Sequence, residues 1–264
     1  MKRISLLFAS LLLLTGCGQS STEELPEEGI PVNFYFVSDT PRGLKLFSET
    51  QNYVVKDGDL NLQIISDLLS GAAVPLDPQY TNLWGTGNTV NSITVKQSIA
   101  TVDLGEISLN VGAEGEQRAI DQIVWTLTEF ASEITAVTFT INGKTVESFA
   151  GHVDTTATFE RAVGYEVLNP IQISSINQGA ELTSPVTISG QACTFEANVV
   201  WELSQNEKVV KEGFTTASSG CPERGQWSIT IEDLAPGKYT IAALEHSAED
   251  GSLFAIDDKE FVVN

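Results

Sequence analysis

The stretch Ile120-Asp121-Gln122-Ile123-Val124-Trp125-Thr126-Leu127-Thr128-Glu129-Phe130 places Ile120, Ile123, Val124, Leu127 and Phe130 at the 3.6-residue period of a helix, with Glu116, Gln117, Asp121 and Glu129 facing away from that stripe. A few residues on, Val137, Phe139 and Ile141 alternate as a strand does. That run stops at Asn142-Gly143, a type I′ hairpin signal, before Thr145 and Val146 return. Toward the N-terminus, Leu60, Ile64, Ile65, Leu68 and Leu69 form a second helical stripe, with Asp59 as N-cap and Gly71 just past the end. The other runs are extended: 32–37, 44–47 after Pro41-Arg42-Gly43, 93–95, and 99–104 with Ala100, Val102 and Leu104 on one face. Helices and strands that interleave in this way predict a small α/β or α+β sandwich whose helices cover one face of a sheet.

The pattern changes after Arg161. From Ile171 onward the runs are short and β-like (186–189, 199–203, 209–213, 227–231, 239–244 and 261–263), spaced by about ten residues and broken by Gly, Pro and Asn turns. They predict an antiparallel β-sandwich, so the chain reads as α+β with two modules.

Composition limits the partners. The 264 residues carry 14 Lys and Arg against 35 Asp and Glu, and residues 1–16 hold Lys2 and Arg3, so without that segment 12 basic residues face 35 acidic ones for a net charge of −23. Nucleic acid is excluded as a partner, because phosphate binding needs clustered cations. The same charge repels anionic headgroups, so membrane attachment has to come from a lipid rather than from the protein surface.

The N-terminus supplies such a lipid site. Lys2 and Arg3 precede an apolar run from Ile4 to Leu14, about half the roughly 20 residues a spanning helix needs, and Leu14-Thr15-Gly16-Cys17 follows. This order resembles a bacterial lipoprotein signal peptide. The resemblance implies cleavage after residue 16, a diacylglyceryl group on the Cys17 thiol, and attachment to the extracytoplasmic face of the cell membrane. Residues 17–30 are small, polar and acidic and read as a flexible tether.

Thr86, Val90-Asn91-Ser92-Ile93-Thr94-Val95, Ala100-Thr101-Val102-Asp103-Leu104, the helix 122–128, the Asn142-Gly143 turn and Gly151-His152-Val153-Asp154 resemble the GerMN domain, a sporulation and germination module widespread in envelope lipoproteins of Gram-positive bacteria. Pro185-Val186-Thr187-Ile188-Ser189-Gly190, the run 195–203 and Ala248-Glu249-Asp250-Gly251-Ser252 resemble the immunoglobulin-like Gmad2 domain. The expected order is signal peptide 1–16, tether 17–30, GerMN-like domain 31–154, linker 155–168 and Gmad2-like domain 169–264. GerMN modules are similar to the ring-building folds of envelope machinery. The resemblance therefore implies a non-catalytic protein that binds an envelope partner or self-assembles; a cell-wall carbohydrate or peptidoglycan binder is the alternative, and a hydrolase ranks below both.

Candidate chemistry is sparse. Cys193 and Cys221 remain once Cys17 is assigned to lipid. They either form a disulfide, contributing about 3.5 kcal/mol by loop closure, or stay as buried thiols. Two histidines, His152 and His246, cannot make a three-histidine zinc site, and Gly-His-Val-Asp reads as a hydrogen-bonded exit segment. Trp84-Gly85-Thr86-Gly87-Asn88 lacks the Lys-Ser/Thr ending of a phosphate loop and reads as a turn. Glu249-Asp250-Gly251 with Asp257-Asp258 offers oxygen ligands for calcium but reads better as a solvated loop. Trp84, Trp201 and Trp227 are candidates for sugar stacking, the latter two more often core residues in a sandwich. No catalytic residue, metal ligand or cofactor site is assigned.

Overall fold

The computed structural model describes residues 29–55 and 58–264. The expected signal peptide, Cys17 and the tether up to residue 28 lie outside the described residues. No described helix is long and apolar enough to cross a membrane.

The first module opens with a long hairpin, β1 (Ile30–Thr40) and β2 (Gly43–Tyr53), that forms a sheet of its own. Val32, Phe34 and Phe36 point into the main core and Tyr35 and Val37 into a second cluster, so this ribbon is buried on both faces. Helix α1 (Leu60–Ser70) starts where the Asp59 carboxylate accepts from Leu62 N at 3.2 Å. It ends at Gly71, whose φ of 80° is left-handed. β3 (Val90–Lys96) and β4 (Ile99–Leu104) form a hairpin whose turn holds Gln97 and Ser98 at φ 50° and 63°. Helix α2 (Ala113–Phe130) then crosses to β5 (Ala136–Ile141), which pairs parallel to β4, and β6 (Phe159–Glu160) completes a sheet of order β3-β4-β5-β6.

Two expectations need correction here. Glu116 and Asp121 do not face away from the core: they are 0% and 2% exposed, Glu116 because residues 148–153 close over it and Asp121 in a pair with Arg118 of its own helix. The helix also keeps polar groups toward the hairpin for a reason. The outer edge of β1 has backbone groups with no strand partner, and α2 supplies partners from side chains: Tyr35 N donates to Thr126 Oγ1 (3.1 Å), and Tyr35 O accepts from Gln122 Nε2 (2.9 Å). Thr145 and Val146 also do not return as a strand. Asn142 and Gly143 turn as expected, at φ 50° and 72°, but the chain beyond Lys144 leaves the sheet and brings Phe149 against Trp84 and Phe139.

Residues 155–168, expected as a linker, are part of the packed structure. They contain β6 and the short helix α3 (Gly164–Val167), and Thr155, Val167 and Leu168 are buried. The second module follows as β7 (Ile171–Ile173), β8 (Ala180–Leu182), β9 (Val186–Ala192), β10 (Asn198–Gln205), β11 (Lys208–Thr216), β12 (Gly225–Ile231), β13 (Gly237–His246) and β14 (Leu253–Val263). Its two sheets, β11-β10-β13-β14-β8 and β12-β9-β7, enclose one core that includes Trp227, Ile241 and Phe261. The pairing is antiparallel except for β8 with β14. Gly190 is required where β9 passes β7, since any Cβ there would collide with the Gln172 carbonyl.

The modules meet along β2. Leu46 O accepts from Asn169 N (3.0 Å), Ser48 O from Gln172 Nε2 (2.8 Å) and Thr50 O from Asn177 Nδ2 (3.0 Å), so alternate carbonyls of that edge are closed by the second module. Beside this seam sits Lys259 of β14, 3% exposed. Its ammonium reaches Asp77 Oδ2 (2.8 Å), Tyr80 OH (2.7 Å) and Asp257 Oδ1 (2.7 Å). Burial pulls this ammonium's pKa down, but the Asp257 and Asp77 carboxylates outweigh it and hold the pKa above the usual lysine value.

Lys259→Met should cost about 3–5 kcal/mol, because it leaves two carboxylates buried without their cation. Calorimetry should then show the two modules melting separately. A single transition at the wild-type temperature would contradict the assignment of Lys259 as the joint.

Candidate functional site

A cleft of about 460 Å³ lies between the modules, above the β2 seam. Tyr35 and Trp125 stand against each other in its lining, ring centroids 5.4 Å apart and 6% and 7% exposed. Tyr35 is carried there by β1 and Trp125 by α2, on the side where the helix meets the hairpin. Burial raises the Tyr35 phenol well above its ordinary value. Arg161 lies over the Trp125 ring at 5.0 Å, pairs with Glu129 at 2.9 Å and donates through Nε to Thr128 Oγ1 at 2.6 Å.

Arg224 enters from the loop before β12. Its Nη1 donates to Asn169 O (2.8 Å), while Nε is buried without a partner among the described residues, and no carboxylate forms an ion pair with it. Burial pulls its pKa down to about 10. The Trp125 indole N–H is likewise buried and unpartnered. None of these four residues carries a motif: Tyr35, Trp125 and Arg161 are brought together within the first module, and Arg224 comes from the second.

The residues singled out in the sequence go elsewhere. His152 is exposed, and its segment is organised by Glu116 instead. The Glu116 carboxylate, fully buried on α2, accepts from Ser148 Oγ (2.7 Å) and from the backbone N–H groups of Phe149, Ala150, His152 and Val153 at 2.7–3.1 Å. Burial alone would raise this carboxyl; the five donors outweigh it and hold the pKa below the usual glutamate value. His246, at the end of β13, is exposed. Cys193 and Cys221 are joined as a disulfide with Cα atoms 4.4 Å apart. Gly85 and Gly87 are turn residues at positive φ, as expected.

Trp84 is 1% exposed with its indole N–H on Ala119 O, and Trp227 is 3% exposed, so neither presents a face to a sugar. Trp201 packs against the core over Gly213. The acidic residues near the C-terminus do not converge. Asp250 caps its own turn through Ser252, whereas Asp257 is buried at the joint on β14 rather than in a solvated loop. No cluster of three metal-ligating side chains occurs among the described residues.

Comparison with known families gives a match in each module. Residues 33–147 match the family described as sporulation and spore germination, and residues 170–252 match the immunoglobulin-like domain of bacterial spore germination. This domain content associates the chain with sporulation or germination. Among solved structures, the chain is similar to the first GerMN domain of the Bacillus subtilis sporulation protein GerM, at 21% identity and a TM-score of 0.41, covering 50% of this chain and 98% of that domain. It is also similar to the tandem GerMN domains of the same protein, at 19% identity and a TM-score of 0.42, covering 78% of this chain and 62% of that one. No protein with a curated description matches.

Glu116→Gln should cost about 3 kcal/mol, since the new amide would point donors at backbone donors. The sign with pH follows from the lowered pKa: the wild-type contribution is complete above the unfolded value of about 4.3 and is lost as pH falls through the folded value. Urea titrations should therefore show the gap between wild type and variant closing in acid. A gap that stayed constant down to low pH would contradict the charged state of Glu116.

Proposed function

We propose that this chain is a lipid-anchored protein on the extracytoplasmic face of the cell membrane, in a Gram-positive-type envelope, and that it serves sporulation- or germination-related processes by binding a protein partner or assembling with itself, without catalysis. The observation that carries this reading is the outer edge of β3. The edges of β1 and β2 are closed by side-chain amides, hydroxyls and the second module, whereas β3 is the last strand of its sheet and, among the described residues, pairs only with β4. A bulge near Asn91 and Lys96 bracket it, leaving residues 92–95 as a short window for a strand of another chain. The strand contains no acidic residue in a protein of net charge −21, so its approach is not opposed locally.

A non-catalytic role is supported by how the buried charges are used. Glu116, Asp257 and Lys259 each hold two parts of the fold together. Cys17 and the tether would set the folded modules just outside the bilayer.

The test is complementation of a deletion strain. His152→Ala and His246→Ala should restore wild-type sporulation and germination, while the double variant Ser92→Lys/Thr94→Lys should fail with an unchanged melting curve. The opposite pattern would place chemistry ahead of assembly. Separately, fatty-acid labelling in cells should mark the wild type and leave Cys17→Ala unlabelled; label on the variant would remove the anchor from this reading.

A further inference from the structure

The cleft between the modules has a feature that neither strand pairing nor membrane attachment uses. Among its described cations, Lys259 is neutralised by Asp77 and Asp257, and Arg161 by Glu129, but Arg224 has no acidic partner. Its Nη1 is taken by Asn169 O, and its Nε is buried without an acceptor among the described residues. A guanidinium carries its donors in a planar fork, the geometry that matches a carboxylate. A half-buried arginine left unpaired in a protein with 35 acidic residues is costly, and an anionic ligand offsets that cost.

The geometry points to the interdomain cleft as a binding site for the carboxylate end of a short peptide or acylated amino acid, with Arg224 taking the carboxylate beside the Trp125 ring. A single uncompensated charge selects a monoanion, since a dianionic phosphate would meet Glu129 with half its charge unpaired. The Tyr35–Trp125 pair gives the ligand body an aromatic wall, and Gln191 and Asn33 place amides along the same lining. A volume of about 460 Å³ suits a ligand of dipeptide size. Glu49, also in the lining, has its carboxylate held by the backbone N–H groups of Leu76 and Asp77.

The test uses the full chain in detergent and three probes: N-acetyl-alanyl-alanine with a free carboxylate, the same peptide as its C-terminal amide, and inorganic phosphate. Calorimetry should show saturable binding of the free acid and at least tenfold weaker binding of the amide and of phosphate. In nitrogen–proton spectra the indole N–H resonance that disappears in Trp125→Phe should be the one that shifts on titration. Arg224→Gln should weaken the free acid at least tenfold at an unchanged melting temperature. If that variant does not fold, the acid-against-amide comparison on the wild type decides alone. No saturable binding, equal binding of acid and amide, phosphate binding more tightly than the peptide, or full binding by a folded Arg224→Gln protein would each overturn the assignment. The Ser92→Lys/Thr94→Lys variant should bind the peptide normally, which separates this site from the β3 edge.

Discussion

The Lys259 ammonium is the point on which the arrangement of the two modules depends. A lone ammonium at 3% exposure is prohibitive, and so are Asp77 and Asp257 at 1% and 3%. Each charge is tolerable only while the others are present. Asp77 belongs to the first module and Asp257 to the second, so the cluster exists only when the modules are docked. Glu49 prepares it by holding the amides of Leu76 and Asp77 at 2.8 Å, and Ile173 N binds the second oxygen of Asp257 at 2.6 Å. A separation of the modules would have to hydrate all of these groups together, which makes the joint selective for one geometry rather than merely adhesive.

That fixed geometry is what gives the cleft its contents. Trp125 is positioned by α2 and Tyr35 by β1, and the two are held side by side because Gln122 and Thr126 bond the backbone of Tyr35. Arg224 arrives from the other module, anchored on Asn169, whose backbone N–H in turn closes Leu46 of β2. The same amide-rich seam therefore satisfies an exposed strand edge and builds a polar cleft. By closing the edges of β1 and β2 in this way, the fold leaves β3 as an open strand edge on the first module.

The periodic elements were legible in advance. Helix α1, with its Asp59 cap and Gly71 stop, and the strands of the second module follow from the spacing of apolar residues and from turn residues, because those signals are local. The alternation of Ala100, Val102 and Leu104 and the disulfide cysteines belong with them. What could not be read was which polar residues are buried. Glu116 and Gln122 look like the solvated side of an amphipathic helix, yet Glu116 accepts from Ser148 Oγ and from the backbone N–H groups of Phe149, Ala150, His152 and Val153, and Gln122 donates to Tyr35 O, 87 residues away in sequence.

The sequence by itself determined two modules in order, an α+β one followed by a β-sandwich, the resemblance of each to spore-germination domains, and a large excess of acidic residues. Helical and strand periods, turn chemistry and net charge are properties of short segments or of the whole count, and need no long-range contact to be expressed. Only the tertiary structure decided that residues 155–168 pack rather than link, that Asp257 is buried rather than solvated, and that Arg224 lies in a cleft with Trp125 and Tyr35. Those outcomes depend on pairing groups far apart in the chain, where low dielectric makes an unpaired charge or amide expensive, and no local pattern encodes which distant partner will meet that need.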